Sequence, residues 1–120
     1  MAKKLVFIIT HGPEETEKVT VPFTMAVACQ AMGAEVTIGL QGAGAGIAKK
    51  GAADKVAFPG CAPLKDLLSA FSSYKGFMCT CGPPLAFRGI KKEDLISGVK
   101  VVGAEDFAQL YIDADNVLVY

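Results

Sequence analysis

Apolar and polar positions alternate along the chain in two rhythms, one of short continuous runs and one of helical spacing. Leu5 to Thr10 is a continuous β-branched and aromatic run, bounded by a basic start and by Gly12-Pro13, and it reads as a buried strand. His11 to Val19 is polar, with Glu14, Glu15 and Glu17 clustered, and reads as loop. Thr20 then caps a helix with Pro22 in its first turn, which runs through Met25, Val27, Ala28 and Cys29 to Met32 and ends at Gly33. Val36, Ile38 and Leu40 alternate in a second strand, Glu35 to Leu40. A glycine-rich stretch, Gln41 to Gly46, leads into a short helical segment, Ile47 to Lys50, and Phe58 to Pro63 is loop. Leu64, Leu67, Leu68 and Phe71 have helical spacing within Leu64 to Tyr74. Phe77 to Thr80 is the third strand, and Cys81-Gly82-Pro83-Pro84 turns the chain into a short helix. Lys91 to Ile96 reads as another short helix, Val99 to Val102 as a fourth strand, Ala104 to Ala114 as a helix and Asn116 to Tyr120 as a fifth strand.

Short apolar strands without strict alternation, separated by helices, predict a parallel sheet covered on both faces: a three-layer α/β/α sandwich. With 120 residues, and neither a repeat nor a linker, one domain over residues 1–120 is expected. Strand order is not specified by the pattern. The composition is 52% hydrophobic and 20% charged, which excludes disorder. Because a small domain has much surface per volume, that apolar excess predicts a homo-oligomeric interface. Twelve Lys and Arg balance twelve Asp and Glu, so the chain lacks the positive excess that direct nucleic-acid binding needs. No run approaches the length of a membrane span, and Leu5 to Ile9 is too short for an export signal. The expected location is the cytoplasm, where Cys29, Cys61, Cys79 and Cys81 are thiols.

Parallel sheets bind ligands at the carboxyl ends of their strands. The first strand ends at Thr10-His11-Gly12, the second at Gln41-Gly42 and the third at Thr80-Cys81-Gly82. Cys81 is the leading candidate nucleophile: it precedes a helix that starts at the prolines, whose free amides and dipole favour a thiolate, with Arg88 further along. The alternative is a packing cysteine, since free Cys is among the most buried residues. Cys79 lies two residues back on the same face of the strand, either as a second sulfur site or as core. A bridge between the two is strained, because an extended i,i+2 pair sits near the limit of about 7 Å between Cα atoms. Cys61 lies in a loop and Cys29 in an apolar helix. His11 is either a proton donor and acceptor or an incidental loop residue. Gly42 and Gly44 belong to a stretch that lacks the spacing of a phosphate-binding fingerprint and suits a close-packed loop equally well. The candidate catalytic residues are thus Cys81 and Cys79. The candidate substrate-binding residues are His11, Gly12, Gly42, Gly44, Gly82 and Arg88. A small-molecule or nucleotide pocket beside Gly42 to Gly46, a soft-metal site built from Cys61, Cys79 and Cys81, and a purely structural subunit are the competing readings.

The segment Cys81-Gly82-Pro83-Pro84-Leu85-Ala86-Phe87-Arg88-Gly89-Ile90 resembles the reactive-cysteine segment of the DsrE/DsrF-like family, in which a cysteine after the third strand is followed by Arg-Gly and an aliphatic residue. Glu93 to Val99, Gly12-Pro13, Gly33-Ala34-Glu35-Val36, the glycine-rich stretch with Lys49-Lys50-Gly51 and the apolar end of the chain are similar too. The Cys-Thr-Cys pair and the double proline depart from that pattern. The resemblance implies a mostly parallel five-stranded α/β/α fold, assembly as trimers or hexamers, and a role in intracellular sulfur trafficking. It implies a sulfur carrier or sulfurtransferase-like protein in which Cys81 takes sulfane sulfur from a donor protein, holds it as a persulfide and passes it to an acceptor thiol, without a cofactor. It implies no catalytic role for His11.

Overall fold

The computed structural model describes residues 2–120. The described residues form the strands β1 (Lys4–Ile9), β2 (Glu35–Leu40), β3 (Phe77–Cys81), β4 (Val99–Val102) and β5 (Asn116–Val119). The α-helices are α1 (Thr16–Ala31), α2 (Leu64–Ser73), α3 (Gly82–Phe87) and α4 (Ala104–Asp113). All strand pairs are parallel, in the order β4-β3-β2-β1-β5.

That order explains how the helices are shared between the faces. From β1 to β4 the chain steps across the sheet in one direction, so right-handed crossovers put the connecting segments on one face. From β4 it steps back past β3, β2 and β1 to β5, so α4 is carried to the other face. The side chains agree. Phe7, Ile9, Val36, Ile38, Leu40 and Met78 pack with Val19, Phe23 and Ala26 of α1 and with Leu64, Leu67 and Phe71 of α2. On the opposite face Val6, Ile8 and Cys79 pack against Phe107 of α4. The architecture is the expected α/β/α sandwich, with one layer thick and the other a single helix.

Local boundaries depart from the sequence pattern where tertiary burial outweighs capping chemistry. The helix expected to start at Thr20 begins at Thr16. Pro22 therefore lies inside α1, where it has no amide to offer the Lys18 carbonyl. Val19, Thr20, Pro22 and Phe23 are all buried, and this contact with the core holds the first turns despite the proline. Thr20 is not a cap: it is sealed in the helix, and its Oγ1 has no hydrogen-bond partner. The segments read as short helices at Ile47 to Lys50 and Lys91 to Ile96 are 3-10 turns, over Gly42–Ala48 and Lys92–Asp94. A further 3-10 turn, Ala52–Lys55, has no apolar periodicity to announce it.

The glycine-rich loop serves close approach. A Cβ on Gly44 would lie 2.0 Å from the carbonyl oxygen of Ile9, so this backbone packs directly on the end of β1. Gly42 has φ of +54° and open space around it. The two positions therefore predict different costs. Gly44→Ala should lower the unfolding free energy by about 2–3 kcal/mol, because backbone must shift to admit the methyl group. Gly42→Ala should cost only about 1 kcal/mol, from the left-handed backbone. Urea unfolding of both variants checks this, and equal losses would contradict it.

Candidate functional site

Adjacent strands whose connections leave on opposite faces open a crevice at their carboxyl ends. Here that point lies between β3 and β4. After β3 the chain enters α3, whose Leu85 packs with Ala45, Ile90 and Leu95, and Leu95 also packs on the α1/α2 core. After β4 it turns at Gly103 into α4 on the other face. Cys81 is the last residue of β3 and is paired with Val102, the last residue of β4. Both ends of the crevice are thus set by the direction of the chain.

Cys81 is partly exposed, with extended backbone (φ −119°, ψ 162°), and like Val102 it packs against the buried cluster of Val6, Ile8, Cys79 and Phe107 on the α4 face. It is the N-cap residue of α3, as its position before the prolines suggested. The helix supplies fewer donors than expected, however. Pro83 and Pro84 occupy its first turn and carry no N–H, and α3 is only six residues long. Arg88 does not compensate. Its guanidinium donates to the Pro84 carbonyl at 3.1 Å and lies 5.5 Å from the Phe87 ring centroid, so it caps the far end of α3. Gly82 has open space where a Cβ would be, which leaves the backbone beside Cys81 uncovered.

Cys79 has a different environment one strand row away. It is fully buried between Val6, Ile8 and Phe107. Removal from water pushes its thiol up from 9.0 to about 12, and the nearby charges of Cys81 and Asp106 act in the same direction. Such a thiol stays neutral and inert at ordinary pH, so its placement suits packing and not attack.

The residues beside Cys81 include two that the sequence reading missed. Gln41 continues β2: its N–H donates to the Ile9 carbonyl at 3.1 Å, and Leu40 before it is level with Thr80. Gln41 therefore stands level with Cys81 on the neighbouring strand, about 5 Å away across the ladder. Its side chain points to the same face, where it bonds the Tyr111 hydroxyl of α4 at 2.6 Å. The Tyr111 ring is tilted on Phe107 with centroids 6.2 Å apart, and this ties the hydroxyl to the cluster that holds Cys81. Asp106 accepts the Gly103 N–H at 2.9 Å, which fixes the turn from β4 into α4. In the sequence Phe107, Leu110 and Tyr111 fall on one side of the helix Ala104 to Ala114, and only strand order and register bring Tyr111 to the end of β2.

The other sequence candidates are dispersed. His11 lies on the α1 side, where its Nδ1 is 2.6 Å from Glu15 Oε2. The hydrogen bond with His11 holds the Glu15 carboxyl below its ordinary value, and the charges of His11 and Lys18 reinforce this. With Glu17, Lys18, Val21, Pro22 and Tyr120, His11 lines a hollow of about 340 Å³. Tyr120 there stacks on Phe7 of the α1/α2 core, so the sheet separates His11 from the Cys81 side chain. Gly12 forms a turn in which its carbonyl accepts the Glu15 N–H. Gly44 is packed under β1, and Gly42 begins the 3-10 turn after β2. A larger cleft of about 760 Å³ follows the open edge of β4, between Gly82, Leu85 and Ile90 on one side and Val99 to Val101 on the other. Cys61 belongs to the loop entering α2 and Cys29 to α1. Among the described residues, no group of three or more His, Cys, Asp or Glu side chains assembles in a way that could hold a metal ion.

Comparison with known proteins places this geometry. The family model described as "DsrE/DsrF-like family" matches residues 3–120. The chain belongs to the DsrE/DsrF-like family. Two relatives from Methanocaldococcus jannaschii are described as uncharacterised proteins. MJ0760 is 33% identical over 114 residues, 95% of this chain, and MJ0989 is 30% identical over 118 residues, 98% of this chain. The chain spans only 41% of the length of MJ0760 but 99% of MJ0989. The fold of this DsrE/DsrF-like chain is that of the E. coli YchN protein, with a TM-score of 0.82 at 21% identity. It is also that of MTH1491 from Methanobacterium thermoautotrophicum, with a TM-score of 0.75 at 16% identity. Each match covers 98% of this chain and 99% of the other.

The burial of Cys79 has a consequence for stability. Burial raises its thiol from the ordinary 9.0 to about 12, so above 9.0 an unfolded chain with an ordinary thiol releases a proton that the native chain keeps. The contribution is fully present below pH 9.0 and is lost as pH rises toward about 12. Urea unfolding across that window should show a steeper alkaline loss of stability in the wild type than in Cys79→Ala. Equal slopes would mean that Cys79 is not the source.

Proposed function

We propose that this chain is an intracellular sulfur carrier, or sulfurtransferase-like protein, that holds sulfane sulfur as a persulfide on Cys81. The observation that carries the reading is the position of that sulfur: partly exposed, at the carboxyl end of β3, beside the crevice where successive connections part to opposite faces. Membership of the DsrE/DsrF-like family suggests a sulfur-relay-related role, and Cys81 begins the segment that resembles the family's reactive-cysteine segment.

The chemistry is thiol–persulfide exchange. The Cys81 thiolate attacks the outer sulfur of a donor persulfide, R–S–SH. The new bond is between Cys81 Sγ and that sulfur, the donor's S–S bond breaks, and the donor leaves as the thiolate R–S⁻, which takes up a proton. An acceptor thiolate then attacks the outer sulfur on Cys81, which leaves as thiolate in turn. Sulfane sulfur moves at each step without net oxidation, so the exchange needs neither metal nor redox cofactor. Cys81 is partly exposed to an incoming thiol, while Cys79 is sealed. We place this relay in the cytoplasm, where thiols stay reduced; among the described residues no helix is long and apolar enough to cross a membrane.

We also infer that copies of the chain associate. Phe77 on β3, Val117 and Val119 on β5 and Ile112 on α4 remain exposed, and apolar surface left open on so small a domain favours association. Light scattering at micromolar concentration should give an oligomer, and a monomer would count against it.

The relay is tested by exposing the protein to a low-molecular-weight persulfide and mapping the product by peptide mass spectrometry. The wild type and Cys79→Ala should gain the mass of one sulfur atom on the Cys81 peptide, and Cys81→Ser should gain none. An adduct that persists on another cysteine in Cys81→Ser would move the activity elsewhere. No adduct on the wild type would remove it.

A further inference from the structure

We propose that Gln41 and Tyr111 form a donor pair that holds anionic sulfur at Cys81, as positioning residues for the exchange. The inference rests on Cys81 being the sulfur acceptor and deepens that reading.

Three observations carry it. First, the pair stands on the sulfur's own side. Gln41 is level with Cys81 on the adjacent strand, and its bond to Tyr111 turns its side chain to the α4 face, where Cys81 packs against the cluster of Val6, Ile8, Cys79 and Phe107. Second, the pair is a preformed unit. The Gln41 amide and the Tyr111 hydroxyl are 2.6 Å apart, and the Tyr111 ring is braced on Phe107. With the amide nitrogen donating, the tyrosine O–H and a second amide N–H remain free. With the amide turned over, the hydroxyl donates to it and both amide N–H groups remain free. Either arrangement leaves hydrogens to give. Third, the donors that the sequence suggested are not available to the sulfur, and the charged side chains on its face, Lys100 level with Cys79 on β4 and Asp106 in the first turn of α4, are opposite in sign. Pro83 and Pro84 have no N–H, and Arg88 is engaged with the Pro84 carbonyl. His11 is bonded to Glu15 on the far side of the sheet.

The chemistry requires such donors. Each exchange step begins with one anionic sulfur at Cys81 and ends with another, and the carried persulfide is itself more acidic than a thiol. Neutral N–H and O–H groups lower the energy of that charge without locking it into an ion pair. They also leave the outer sulfur free for attack, which a tight cationic clamp does not.

The test uses Gln41→Glu and Tyr111→Phe in the full chain. Gln41→Glu keeps the shape and accepts the tyrosine hydroxyl, but has no hydrogen left to give and adds a negative charge. Tyr111→Phe keeps the ring contact with Phe107 and removes the hydroxyl. The readout is the rate of Cys81 alkylation by iodoacetamide as a function of pH, resolved by peptide mass spectrometry. Each variant should react roughly five- to tenfold more slowly than wild type near neutral pH. Its whole pH–rate profile should be displaced to higher pH, while the maximal rate at high pH is retained. A merely structural role would instead expose Cys79 to the reagent or lower the maximal rate. Superimposed profiles in both variants would overturn the proposal. The measurement needs no loaded sulfur, so it separates two failures. A wild type that takes up no sulfur defeats the relay, whereas unshifted profiles in a protein that does load defeat only the role of the pair.

Discussion

A single reversal in the direction of the chain shapes the rest of this molecule. Parallel strands accept right-handed crossovers, so a chain that keeps stepping one way keeps laying its connections on one face. This chain does so from β1 to β4 and then turns back to β5. The reversal puts α4 alone on the second face and opens the crevice between β3 and β4. Everything distinctive about the site follows: Cys81 lies at that crevice, and Tyr111 reaches the end of β2 because α4 was carried across the sheet.

The two cysteines of β3 show how sharply environment changes over one strand row. Cys79 and Cys81 share a face and a cluster of neighbours, yet one is sealed and the other partly open to solvent. For Cys79 the loss of hydration dominates, and its thiol is held neutral far into the alkaline range. For Cys81 the same packing stops at the rim of the sheet. Burial therefore divides the Cys-Thr-Cys segment into a packing thiol and an accessible one, a division that their chemical identity does not contain. The surroundings of Cys81 also differ from the free amides, helix dipole and Arg88 that its place before the prolines suggested. The double proline removes amides and the arginine closes the far end of its own helix, while the hydrogen-bonded pair at the end of β2, Gln41 with Tyr111, is neutral.

The glycine-rich loop and the first helix are two places where residue type pointed in one direction and packing decided in another. Alternating Gly and Ala after β2 suits both a ligand loop and a tight contact, and the Ile9 carbonyl beneath Gly44 decides for the contact. Pro22 suits the first turn of a helix, yet α1 begins earlier because Val19 and Phe23 have a core to enter. A proline's missing amide costs one hydrogen bond, and buried apolar side chains on both sides of it offset that loss.

What the amino-acid order determined by itself was local. The strands came from β-branched runs such as Leu5 to Ile9, the helices from spacings such as Leu64, Leu67 and Phe71, and the position of Cys81 at a strand end from the glycine and prolines behind it. Those patterns also predicted a parallel sheet with helices on both faces, because periodicity and burial act over a few residues. Strand order, the side of the sheet to which α4 belongs, the sealing of Cys79, the separation of His11 from Cys81 and the meeting of Gln41 with Tyr111 were decided only in three dimensions. Each depends on contacts between residues dozens of positions apart. Hydrophobic pattern specifies that such contacts form but not which partners make them, because many strand orders bury the same apolar faces.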